Sequence, residues 1–95
     1  MIAKERIIEE LETVMDPEIG IDVWTLGMIY GIDFSDEQKI TITMTYTTPF
    51  CPYGSVLNEE VRQAVERLGF MSANVVITFD PPWKPPANLR EMMGI

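Results

Sequence analysis

No histidine occurs in this 95-residue chain, and Cys51 is its single cysteine. Without imidazole there is no Ser-His-Asp triad, no Cys-His pair and no histidine-ligated zinc. One thiol cannot form an intramolecular disulfide, a Cys-x-x-Cys redox pair or a four-thiolate site within one chain. Positive charge is also scarce. Seven Lys and Arg stand against fifteen Asp and Glu, a net charge of -8, and no basic stripe is available to neutralise phosphates. Nucleic acid and anionic membrane surfaces are therefore not expected as direct partners. No apolar run reaches the ~18 residues of a membrane-spanning helix. Gly27 and Gly31 belong to neither a dinucleotide fingerprint nor a P-loop. No charged-then-apolar leader opens the chain, because Lys4, Glu5 and Arg6 run straight into a helical pattern. A cytoplasmic location follows as the expectation.

What is present reads as one compact domain over residues 1–95, with 46% hydrophobic and 23% charged residues. From Ala3 to Met15, Ile7, Ile8, Leu11, Val14 and Met15 share a face opposite Glu5, Glu9, Glu10 and Glu12, which predicts an amphipathic helix ended by Asp16-Pro17. After a loop to about Leu26, Met28–Phe34 reads as a strand. Lys39–Thr47 reads as a second, with Ile40, Ile42, Met44 and Tyr46 alternating against a half-exposed face of Thr41, Thr43, Thr45 and Thr47. Ser35-Asp36-Glu37-Gln38 is a turn of hairpin length. A second helix places Val56, Leu57, Val61, Ala64, Val65 and Leu68 on one face, with Gly69 as its left-handed C-terminal cap. Asn74–Phe79 is a third strand. Asp80-Pro81-Pro82-Trp83-Lys84-Pro85-Pro86 is too proline-rich for a ladder and predicts an extended surface segment, followed by a short helix around Leu89–Met93. The sum is an α/β (α+β) fold: a three-stranded sheet packed with two main helices, the second crossing between strands two and three. A right-handed crossover is expected if those strands are parallel.

Cys51 lies in Thr47-Thr48-Pro49-Phe50-Cys51-Pro52-Tyr53-Gly54, between a strand and a helix start. The positive end of a helix dipole stabilises a thiolate, the form that attacks electrophiles and binds soft metals. A lone cysteine is also commonly a small buried hydrophobe. Asp16 and Glu18 also read as punctuation and caps: aspartate accepts backbone N–H bonds at a helix start, and the proline that follows it suits a first helical turn. Trp83 among prolines reads by residue physics as a lid pinned on the core, with a binding anchor as the alternative. Met92 and Met93 read as packing residues.

Asp16-Pro17-Glu18, Leu26-Gly27-Met28-Ile29-Tyr30, Thr45 through Cys51-Pro52, Asp80-Pro81-Pro82-Trp83 and a closing Met93-Gly94-Ile95 form an ordered set over nearly the whole chain. That set resembles the metal-sulfur cluster assembly family, which includes the SufT and PaaD-like proteins and the eukaryotic cytosolic iron-sulfur targeting factor. The resemblance implies a compact iron-sulfur assembly domain that aids maturation of iron-sulfur proteins and is not an enzyme. It matches Cys51 to the family's cysteine, Asp16 and Glu18 to its acidic loop, and Trp83 to its aromatic C-terminal segment, here expected to bind partners. The implied cofactor is a transient, labile iron-sulfur cluster, with assembly proteins and client apoproteins as partners. Clusters usually take about four thiolates. One would therefore be shared by the Cys51 residues of a homodimer, or completed by Asp16, Glu18, a small thiol or the receiving protein. The alternative is an adaptor that binds no cluster, or a maturation partner of an oxygenase-type complex as in PaaD-like proteins. A thiol-dependent enzyme is a third reading.

Overall fold

The computed structural model describes residues 3–17, 19–36, 38–47 and 53–86, with backbone alone for Ser35 and Asp36. The elements run α1 (Lys4–Leu11), β1 (Ile29–Asp36), β2 (Lys39–Met44), α2 (Gly54–Glu66) and β3 (Ser72–Ile77). They form a three-stranded sheet in the order β1-β2-β3. β1 and β2 are antiparallel, while β2 and β3 are parallel in unbroken register from Lys39 opposite Ser72 to Met44 opposite Ile77. α2 is thus the crossover that a parallel pair requires. The predicted short helix around Leu89–Met93, with Met92, lies outside the described residues.

Alternation decides which face of the sheet is covered. Ile40, Ile42 and Met44 of β2 are buried, and Ile32 and Val75 flank Ile42 on the neighbouring strands. Ile7 and Leu11 of α1 and Leu57, Val61, Ala64 and Val65 of α2 complete this core, with Val23, Leu26 and Met28 supplied by the loop between α1 and β1. Burying side chains of this size contributes about 1.5–3 kcal/mol each, offset mostly by lost chain entropy. On the opposite face Thr41 and Thr43 are half-exposed, as an alternating strand predicts.

Several boundaries and faces differ from the periodic reading: β1 runs on from Phe34 to Asp36, into the predicted turn, and α2 ends at Glu66, before Leu68. α1 ends at Leu11, not near Met15. The amides of Thr13 and Val14 reach carbonyls three residues back, the Thr13 hydroxyl donates to Glu10 O at 2.6 Å, and Val14 O accepts from Val23 N. Those tighter bonds take the groups a further helical turn would use, so Val14 is buried from a turn and Met15 is 47% exposed. β2 stops at Met44 instead of Thr47, and Thr45 is fully buried, not half-exposed. Its amide still donates to Met28 O, but Met44 and Thr45 are both buried, so strict alternation has ended. β3 is displaced toward the N-terminus because its register begins opposite Lys39. In α2, Val56 is 51% exposed and lies off the buried stripe.

α2 closes as its sequence predicts, with Gly69 at φ +107° and its amide bonded to Glu66 O, a backbone region where a side chain would be strained. Beyond β3, the proline-rich stretch forms no strand. Tyr30 donates to Pro81 O at 2.8 Å, the Trp83 indole N–H donates to Leu26 O at 2.7 Å, and Pro86 lies over Gly27. The segment therefore runs from the end of β3 back to the start of β1, across the end of the sheet at which β2 and β3 finish.

Candidate functional site

The connection from β2 to α2 carries the candidate thiol. Residues 48–52, including Cys51, lie outside the described residues, as does Glu18, but both anchors of the connection are defined. On the β2 side, the Tyr46 hydroxyl shares its one hydrogen between Asn58 Oδ1 at 2.6 Å and Gly54 O at 3.0 Å, reaching across to the first two turns of α2. The Tyr46 ring sits so close to Gly54 that a Cβ there would fall 2.8 Å from Cζ. Only glycine admits that approach, and Gly54 is buried beneath the ring. On its other side Tyr46 meets Phe79 edge-to-face, with centroids 6.0 Å apart, tying in the chain just past β3. One phenol thus joins the ends of both parallel strands to the start of α2.

That helix start is electrostatically open. Tyr53, its N-cap, contributes no side-chain hydrogen bond, and the first turn carries no acidic residue. Among the described residues, no carboxylate of the first turn offsets the partial positive charge of the α2 N-terminus. Such an end favours a nearby anion or thiolate.

Asp16 is 2% exposed, and its Oδ1 accepts from Ile19 N at 3.2 Å. Its own amide donates to Ile21 O and its carbonyl accepts from Gly20 N at 2.7 Å, while Met15 bridges Asp22. This is the turn-capping role that residue physics allows for an aspartate before proline. Trp83 is half-buried against the core with its indole N–H spent on Leu26 O, the lid expected of a tryptophan among prolines. Among the described residues no three carboxylates or thiols converge into a group able to hold a metal ion.

Tyr46, Gly54 and Asn58 are the site residues that sequence reasoning missed. Tyr46 reads as one more inward residue of an alternating strand, and Gly54 as the last residue of the segment before the second helix, with no role of its own. A signal was available. Gly54 falls three residues before Leu57 and seven before Val61, on the buried stripe of α2, where alanine would be the better helix former.

Comparison with known proteins gives a consistent result. The family described as iron-sulfur cluster assembly protein matches residues 4–77, a span that includes both helices, all three strands and Cys51. An Fe-S protein maturation auxiliary factor of Porphyromonas gingivalis is 38% identical over 91 residues, covering 95% of this chain and 87% of the relative. The Fe-S protein maturation auxiliary factor YitW of Bacillus subtilis is 38% identical over 81 residues, covering 84% and 79%. A conserved hypothetical protein of Thermotoga maritima has a solved structure that superposes with a TM-score of 0.85 at 36% identity, covering 99% of this chain and 96% of that one.

Proposed function

This chain belongs to the iron-sulfur cluster assembly protein family and works in the maturation of iron-sulfur proteins, and we propose that it does so as a cluster carrier with Cys51 as ligand or transfer thiol. The observation that carries the reading is the count of soft donors. Within the matched span there is one thiol and no imidazole, whereas a cluster is normally held by about four thiolates. A site so under-supplied releases its cargo readily, which suits transfer and defeats permanent electron-transfer use. The cluster is then a substrate passed on, not a resident group. Its missing ligands come from a second Cys51, a small thiol or the client.

Transfer by this route exchanges one iron-thiolate bond for another. A client cysteine thiolate binds iron, the Cys51 sulfur leaves as thiolate or takes up the proton the client thiol released, and no net oxidation occurs. No turnover catalysis is required of the chain. The uncompensated N-terminus of α2 supports a thiolate on the segment before it. The Tyr46–Gly54 staple keeps the two anchors of that segment together. Asp16, buried and engaged with backbone, acts as an orienting residue of its loop, and Glu18 is the carboxylate assigned to assist iron. Client apoproteins and other assembly factors are the partners, in the cytoplasm. No helix among the described residues is long and apolar enough to cross a membrane.

One observation favours a second reading. Because one thiol is all that the matched span offers to a cluster that normally takes about four, the chain can also act as an adaptor that presents its loops, Trp83 included, without holding a cluster. Anaerobic reconstitution with ferrous iron and sulfide separates the two, following visible absorption, iron and sulfide content and mass, with Cys51→Ala in parallel. The carrier predicts a chromophore at about one cluster per two chains, lost in Cys51→Ala. No bound cluster in either protein overturns the carrier in favour of the adaptor.

A further inference from the structure

A groove of about 360 Å³ runs between the Thr13–Met15 turn and the outer side of α2, where Glu60, Gln63 and Arg67 line it. These α2 residues continue a stripe begun by Tyr53 and Val56, at successive spacings of three and four residues that place all five along one side of the helix. Exposure follows the stripe. Tyr53 is 43%, Val56 51% and Met15 47% exposed, so an exposed apolar side chain stands on each side of Glu60: Val56 one helical turn before it on α2, and Met15 on the groove's other wall.

Charge selects the occupant. Arg67, at the far end, faces Glu10 at 3.4 Å, and Arg62 is shared by Glu59 and Glu66. Glu60, exposed in the middle of the stripe, has no ion pair among the described residues. The chain's net charge of -8 opposes a second copy on this face and favours a basic partner. Resting on the maturation reading, we propose that this groove docks an amphipathic helix of a client protein, its apolar stripe against Met15 and Val56 and a Lys or Arg at its centre paired with Glu60. The geometry is that of helix-in-groove recognition. It would bring the client alongside the N-terminal end of α2, where the proposed transfer takes place.

The test uses two labelled, side-chain-stapled helical peptides with leucines on one stripe, one with lysine at its centre and the other with glutamate. Fluorescence anisotropy and amide shifts of ¹⁵N-labelled protein are read for the wild type, Glu60→Lys, the double variant Met15→Ser/Val56→Ser, and Cys51→Ala. The lysine peptide is expected to bind the wild type, shift the amides of Met15, Val56 and Glu60, and bind Glu60→Lys about tenfold more weakly, the scale of one charge pair lost and one repulsion gained. The glutamate peptide should show the reverse preference. The double variant should bind neither. Equal binding of both peptides, shifts confined to other surfaces, or no binding overturns the proposal. So does a wild-type dimer in sedimentation that Met15→Ser/Val56→Ser dissolves, because the occupant is then a second copy. Cys51→Ala should bind the lysine peptide as the wild type does, and Glu60→Lys should still form the reconstituted chromophore. Failure of the groove and failure of the carrier are thereby read separately.

Discussion

At its N-terminal end α2 is fastened by groups withdrawn from water: the Tyr46 ring packed on Gly54, its hydroxyl bonded to Gly54 O and Asn58 Oδ1, and Leu57 fully buried a turn further on. Toward its C-terminal end the same helix is dressed by exposed ion pairs. Arg62 lies between Glu59 and Glu66, with side chains 39%, 49% and 37% exposed, and Arg67 faces Glu10. Solvent and salt weaken the second kind of contact and hardly touch the first. Val61, Ala64 and Val65 keep the far half on the core as well, so what sets the end beside the Cys51 segment apart is the ring on Gly54 and the bonds of its hydroxyl. The far end needs only to stop, and a glycine with local backbone bonds suffices.

Breaking the buried end should give the largest effects. Leu57→Ala opens a cavity at a fully buried position and is expected to lower unfolding free energy by about 2–5 kcal/mol, read from urea midpoints. Gly54→Ala drives a methyl to 2.8 Å from the Tyr46 ring. Displacing that ring should cost about 1–3 kcal/mol and reduce the chromophore retained after reconstitution. If Gly54→Ala unfolds like the wild type, the close approach does not constrain the helix start. Tyr46→Phe keeps the ring and removes the hydroxyl that reaches Gly54 O and Asn58. A loss of about 1 kcal/mol is expected, with faster amide exchange confined to the first turn of α2.

At the exposed end Arg62→Gln should leave the denaturation midpoint within error at physiological salt. Its signature is in pH dependence. The hydrogen bond from Arg62, reinforced by its charge, holds the Glu59 carboxyl below the ordinary glutamate range. A depressed carboxyl contributes stability above its unfolded value and loses it as pH falls through the folded value. Any small advantage of the wild type over Arg62→Gln, measured at low salt, should therefore shrink as pH drops through that interval. An advantage that grows on acidification would contradict the pairing.

Much of this architecture was legible in local patterns. Ile40, Ile42 and Met44 alternate as β2 requires, Leu57, Val61, Ala64 and Val65 recur at helical spacing, and Gly69 marks where α2 ends. The failures share a cause. Met15 continues the helical period of α1, but Thr13 and Val14 have spent their amides on a tighter turn. Thr45 continues the alternation of β2, yet is buried because its backbone stays paired with Met28 after the ladder to β1 has ended. Val56 suits the apolar face of α2 by spacing and by type, but lies at the margin of the stripe and opens to solvent. Propensity and period describe neighbours in sequence, and at element ends the competing partners come from elsewhere.

The amino-acid sequence alone determined the inventory of donors: one thiol, no imidazole and a net charge of -8. That inventory offers no catalytic triad, Cys-His pair or Cys-x-x-Cys pair within these 95 residues, and limits any cluster to a shared or borrowed ligand set. Sequence order also announced the succession of helices and strands, because each element's hydrophobic period is written in residues a few positions apart. Tertiary structure decided that the Tyr46 ring rests on Gly54, that Trp83 reaches back to Leu26, and that the Thr13–Met15 turn and α2 leave a groove between them. Those contacts depend on where whole elements come to rest against a common core. No local period encodes that placement.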